Sequence, residues 1–132
     1  MSATLARRWF QEVWNERRVE TIDAMLSKDG LCHGLPGDPR GPTAFRAFHA
    51  AFLAKFPDLR VIVDETLEGP PDAAGVITVA TRFTASGTHA PSKKAGSFAC
   101  MSFTRWRGGQ CVEAFDVCDF FGLQAQLGCS PF

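Results

Sequence analysis

Hydrophobic periodicity changes once along this chain, at Pro57, and that change fixes its fold class. Before Pro57 the apolar residues recur at third and fourth positions. Leu5, Trp9 and Val13, with Ala6, Phe10 and Trp14, form two adjacent rows on one helical stripe, which predicts a helix over 3–16. A second short helix fits 19–26, with Ile22, Met25 and Leu26 turned inward, and Leu31-Cys32-His33 reads as a brief strand. The Pro- and Gly-rich stretch 34–42 is a loop, and Pro42 suits the first position of a third helix, where its missing N–H costs nothing. That helix carries Phe45, Phe48, Phe52 and Phe56 and stops before Pro57.

From Leu59 onward the period is two. Strands are predicted over 59–67, 76–86, 96–107 and 110–119, the last two joined by a tight turn at Gly108-Gly109. Three helices followed by a run of antiparallel strands make an α+β domain, in which helices cover one face of a curved sheet and leave a conical pocket beneath them. At 132 residues the chain is read as a single domain over 1–132.

Composition removes several function classes. Lys plus Arg and Asp plus Glu are 14 each, so no electrostatic footprint for nucleic acid or an anionic membrane exists. No apolar run approaches a bilayer span and no signal-peptide pattern opens the chain, so the expected compartment is the cytoplasm. The five cysteines are scattered without zinc-ligand spacing, which predicts reduced, mostly buried thiols and no metal site. There are 12 Phe and 3 Trp but no Tyr, which excludes a tyrosine hydroxyl as proton donor and points to a Phe-lined interior for an apolar, ring-shaped ligand.

One stretch departs from this apolar pattern. Residues 112–123 read Val-Glu-Ala-Phe-Asp-Val-Cys-Asp-Phe-Phe-Gly-Leu, placing carboxylates in a strand that is otherwise core-like. Alternation sets Val112, Ala114, Asp116 and Cys118 on one face. A carboxyl facing a dry pocket is held uncharged by desolvation and serves as a general acid or base near neutral pH. The alternative for Asp116 is an ion pair with Arg82 or Arg105, which would lower its proton affinity. A two-residue turn at Gly108-Gly109 sets Met101 opposite Asp116 and Phe103 opposite Ala114. A Ser102–Asp116 pairing then requires a bulge. Asp119 lies on the opposite face, near the strand end, where a cap or turn role competes with a pocket role.

Several segments together resemble the SnoaL-like polyketide cyclase (ester cyclase) family, within the superfamily named for nuclear transport factor two. They are Arg-Arg-Trp-Phe-Gln-Glu-Val-Trp-Asn-Glu-Arg-Arg near the start, the Gly-Leu-Pro-Gly-Asp-Pro-Arg-Gly-Pro loop and Phe-Pro-Asp-Leu-Arg-Val. Gly87-Thr88-His89, Met101-Ser102-Phe103 and the closing Gly-Leu-Gln-Ala-Gln-Leu-Gly complete the set. The resemblance implies a cone-shaped α+β barrel, a homodimer, a deep pocket for a small apolar molecule, and no metal or organic cofactor. It further implies that the first of two aspartates three apart on the last strand is general acid and base for an intramolecular aldol closure. That position is Asp116, with Asp119 second.

The resemblance assigns Ser102, Cys100 and Cys32 to positions where the family's cyclases carry His, Gln and Asn. His33 is expected at the pocket mouth as a second proton carrier or else bonded to loop backbone. Trp14, Phe48, Phe52 and Phe103 are expected as core or pocket lining, His89 at a rim or in solvent, and His49 partly exposed. Ketosteroid-isomerase-like chemistry is disfavoured because its oxyanion donor is Tyr. An epoxide-hydrolase-like set is disfavoured because Thr84, not Asp, follows Arg82 by two residues. Against an enzyme stands a non-catalytic ligand-binding or dimerisation domain of the same fold.

Overall fold

A computed structural model describes all 132 residues. The chain runs α1 (Ser2–Trp9), a π-helical segment (Phe10–Asn15), α2 (Val19–Met25), β1 (Leu26–His33), α3 (Gly41–Lys55), β2 (Arg60–Glu68), β3 (Ile77–His89), β4 (Lys94–Arg107), β5 (Gln110–Cys118) and α4 (Phe120–Leu127). Five strands form one sheet in the order β1-β5-β4-β3-β2. Three ladders are antiparallel, but β1 runs parallel to β5, so the sheet is mixed rather than antiparallel throughout. The three Leu31-Cys32-His33 residues end an eight-residue strand, longer than sequence pattern suggested because Lys28, Asp29 and Gly30 carry no alternation to reveal it.

The first helix does not stay α-helical. From Phe10 it widens to a π-helix, closed by Glu16 N–H donating to Gln11 O at 3.0 Å. Wider turns change the phase of the side chains, and Phe10, Val13 and Trp14 all end buried. Asn15 caps the free edge of β2: its amide donates to Val61 O and accepts from Val61 N–H, both at 2.8 Å. An exposed strand edge is thereby covered by one side chain. Arg17, with φ of 59°, donates to Leu59 O at 2.8 Å and to Pro57 O at 3.0 Å, tying the helix exit to the start of β2.

A core of 23 buried apolar residues lies between the helices and the concave face of the sheet. Along β4 the inward residues are Phe98, Cys100, Ser102, Thr104 and Trp106, alternating with exposed ones. The last helix, α4, lay outside the sequence reading. Asp119 begins it by accepting from Gly122 N–H at 2.8 Å, and Gly128 ends it in the left-handed region at φ of 75°. It packs on β4 where Gly96 has no side chain; a Cβ there would lie 2.7 Å from Leu123.

Candidate active site

Helices and concave sheet enclose an apolar cavity of about 70 Å³, lined by 22 residues of which 20 are hydrophobic. This is small beside the few hundred Å³ of typical ligand pockets. A ring-sized ligand would fit only by displacing aromatic side chains of the lining. Trp9, Phe10 and Trp14 come from the first helix, Phe45, Phe48 and Phe52 from α3, and Phe120 from α4. Trp14 sits at their centre, with edge contacts to Phe45, Phe48 and Phe52 at about 6 Å.

Asp116 is the only acidic or basic side chain in the lining. Burial among apolar atoms pushes its carboxyl from the ordinary 3.8 up to about 7, with no hydrogen bond or opposite charge offsetting it. Neither arginine reaches it. Arg82 is engaged by Asp64 at 3.7 Å and Glu65 at 3.4 Å, and Arg105 by Glu113 at 3.2 Å. All of these lie on the opposite face of the sheet. The ion-pair alternative for Asp116 therefore does not form.

The strand register explains how Asp116 comes to face inward beside Ser102. Arg105 pairs with Glu113, but Trp106 pairs with Cys111, leaving Val112 as an extra residue in β5. This bulge shifts every later pair by one, so Ser102, not Met101, lies opposite Asp116, and Phe103 lies opposite Phe115, not Ala114. It also puts Cys111 rather than Val112 in the cavity wall. Gly34 completes the fit from the other side. Its φ is 89°, and a Cβ there would lie 1.9 Å from the Asp116 carbonyl oxygen.

Thiols surround the acid. Cys32, Cys100, Cys111 and Cys118 all line the cavity, and all five cysteines are unbonded. Cys100 lies opposite Cys118 in the β4–β5 ladder. A hydrogen bond with Cys118, then burial, pushes the Cys100 thiol far up, and burial pushes that of Cys32 up likewise. Burial takes Cys111 to about 12. Cys32, Cys100 and Cys111 are therefore neutral at physiological pH and serve as wall, not as nucleophiles. No group of three His, Cys, Asp or Glu side chains is placed to hold a metal.

Three residues expected in the pocket lie elsewhere. His33 alternates outward from Cys32: its ring stacks on Phe115 at 4.3 Å and its Nε2 lies 2.9 Å from Glu113 Oε2. Phe103 follows the same alternation to the outer face, where it is 56% exposed. Asp119 caps α4. Trp14, Phe48, Phe52, Cys32 and Cys100 do line the cavity, and Ser102 is buried on the same inward face.

His49, expected near the surface, is buried against Trp14 with Nε2 2.8 Å from Val13 O, and burial lowers its proton affinity. His89 is buried too, its Nδ1 2.8 Å from Ser92 Oγ and its ring beside Phe56. Sequence reasoning missed Cys111, Phe83 and Trp106 as lining. Period two on β3 and β4 carried the signal for the last two; the bulge concealed the first.

The sequence matches the family model for the SnoaL-like polyketide cyclases over residues 4–127. No curated protein matches it by sequence. Among solved structures it is similar to IdmH, a proposed polyketide cyclase from Streptomyces antibioticus, at 23% identity and a TM-score of 0.81, over 96% of this chain and 97% of that one. TsrD from Streptomyces laurentii aligns at 20% identity and 0.81, over 96% and 94% of the two chains. A hypothetical protein of ketosteroid isomerase-like fold from Catenulispora acidiphila, in complex with trimethylamine, aligns at 14% identity and 0.81, over 96% and 94%. Likeness at such identities carries the fold. With the family model spanning nearly the whole chain, the protein belongs to the SnoaL-like polyketide cyclase family.

Proposed function

We propose that the protein carries out acid/base chemistry on a small apolar carbonyl compound, with Asp116 as the proton carrier and no metal or organic cofactor taking part. The observation supporting this is a lone carboxyl, raised to about 7 by burial, in a cavity otherwise lined almost wholly by apolar side chains. A group half-ionised near neutral pH can accept and then return a proton with little driving force lost in either direction. Asp116 takes a proton from the carbon α to a carbonyl. The electron pair left behind forms the enolate, whose carbon adds to a second carbonyl of the same molecule. Asp116 then delivers its proton to the oxygen of that second carbonyl. Proton and charge balance without a further reactant, and the aromatic wall folds the substrate and excludes water.

The experiment is deuterium uptake from D₂O into 2-tetralone, an apolar two-ring ketone, followed by proton NMR. The protein should accelerate exchange at the α-methylene, the rate rising with pH about a midpoint near 7 as Asp116 ionises. Binding of 2-tetralone with exchange at the buffer rate would instead favour a non-catalytic holding role, which the scarcity of polar lining residues would suit.

We also infer a homodimer through the outer face of the sheet. Leu67, Ala80, Phe103 and Phe115 follow one another across four strands, and Arg82, Met101 and Val117 make the next row. Leu67, Met101, Phe103 and Val117 are more than half exposed, a patch large enough to call for a partner. A second copy meets it most simply, because a twofold axis pairs this face with itself. Phe103→Glu should convert the dimer to monomer in sedimentation velocity at micromolar concentration while leaving 2-tetralone exchange per chain intact. A Phe103→Glu dimer would remove this face as the interface. No helix of the chain is long and apolar enough to cross a membrane.

A further inference from the structure

The concave face carries three polar side chains with nothing to bind. Thr81, Ser102 and Asp116 stand opposite one another on β3, β4 and β5, all turned inward. The hydroxyls of Thr81 and Ser102 are sealed from solvent and have no hydrogen-bond partner. Two residues along β4, Thr104 shows what a satisfied hydroxyl looks like here. Its Oγ1 donates to Val79 O at 3.4 Å and accepts from Trp106 Nε1 at 2.8 Å. Buried polar groups are nearly always paired, and an orphaned one calls for an explanation, a catalytic role among them.

We propose that Ser102 is the positioning residue for Asp116: its hydroxyl turns about the Cα–Cβ bond to donate to the carboxylate once the proton has left. Directly opposed residues in antiparallel strands have Cβ atoms about 5 Å apart, so a serine oxygen reaches the longer Asp side chain by rotation alone. Thr81 stands one strand further away and does not reach. The Val112 bulge is what makes the pairing possible, since without it Asp116 would lie opposite Met101, on the outer face. The inference rests on the reading of Asp116 as proton carrier and supplies what that reading lacks, a donor for the anion. A hydrogen bond made only to the ionised form keeps the base available at neutral pH despite its dry surroundings.

No other group can stand in for this donor. From β1 only Cys32, from β4 only Cys100, and from β5 only Cys111 and Cys118 bring titratable side chains to the cavity. The helices, β2 and β3 bring none. The Cys100 and Cys118 thiols are hydrogen-bonded to each other. The carboxyl therefore titrates with no other acidic or basic residue beside the thiols in the lining.

The test is the ¹³Cγ titration of Asp116 by NMR in the full-length protein without ligand. Ser102→Ala should raise the Asp116 midpoint by about one pH unit, Ser102→Thr should return it to within a few tenths, and Thr81→Val should leave it where it is. Ser102→Cys keeps the shape, removes the strong donor, and should behave as Ala does, which covers any failure of the Ala variant to fold. An unmoved midpoint in both Ala and Cys variants would overturn the proposal, and so would an equal rise in Thr81→Val. Failure here leaves a loss of exchange in Asp116→Asn standing. An active Asp116→Asn would discard the acid/base reading even if the Ser102 effect were found.

Discussion

Asp116→Asn should bring deuterium exchange of 2-tetralone down to the buffer rate, a loss of roughly 10²–10⁴-fold, the span that a positioned general base contributes. Asn keeps the size and planarity of the carboxyl but has no proton affinity near neutral pH, so the ligand should still bind within a few-fold of wild type. The effect is all-or-none because the lining holds no substitute. Every other titratable side chain there is a thiol, three of them (Cys32, Cys100 and Cys111) pushed away from the anion, and His33, His49 and His89 are all engaged outside the cavity. Substantial exchange activity in the variant would place the base elsewhere.

The same substitution should change how stability depends on pH. The Asp116 carboxyl is raised in the folded protein from 3.8 to about 7, so the folded state holds its proton where the unfolded chain has released it. Stability from this group is complete below pH 3.8 and is lost as pH rises toward 7, a difference on the order of 4 kcal/mol. His49 acts in the opposite sense, because burial lowers its proton affinity and acidification below 6.5 costs stability. Glu12, Glu20 and Asp58 are held low chiefly by hydrogen bonds, so their contributions are lost at still lower pH. Wild-type protein should therefore lose urea resistance between pH 7 and pH 4 from His49 and between pH 4 and 7, in the other direction, from Asp116. In Asp116→Asn only the histidine slope remains. The difference between the two chains should grow steadily from pH 4 to 7 and then level off. A constant offset across that range would show that Asp116 ionises as freely in the folded protein as in the unfolded one.

Much of the architecture was legible in residue order. The switch from helical to strand periodicity at Pro57 located the first three helices and the four long strands, and alternation on the last strand selected Asp116 over Asp119. What escaped depends on backbone irregularities that leave little mark on hydrophobic pattern. The Val112 bulge reverses the facing of everything before it on β5, which exchanged Cys111 for Val112 and Ser102 for Met101. Strand β1 hides its length in Lys28-Asp29-Gly30, and its parallel pairing with β5 is a property of the closed sheet. The widened turn from Phe10 looks like any helix in sequence.

His33 and Phe103 were misplaced for a different reason. Each sits one residue from a true lining or inward position, Cys32 and Ser102, and a period-two pattern is unforgiving of a single step. Helix α4 had its signals in Asp119 and Gly128, a cap and a left-handed stop, but only eight residues between them. The unpaired state of Asp116 depended on where Arg82 and Arg105 pointed, which alternation implied once the facing of their strands was known.

The direct measurement is the titration of Asp116 itself in the wild-type protein, read from its carboxyl carbon by NMR between pH 3 and 9. The account predicts a single midpoint near 7, raised from the ordinary 3.8 by burial. A midpoint at or below 4 would mean that the carboxyl is ionised and stabilised at neutral pH, and would contradict its assignment as the proton carrier of the pocket.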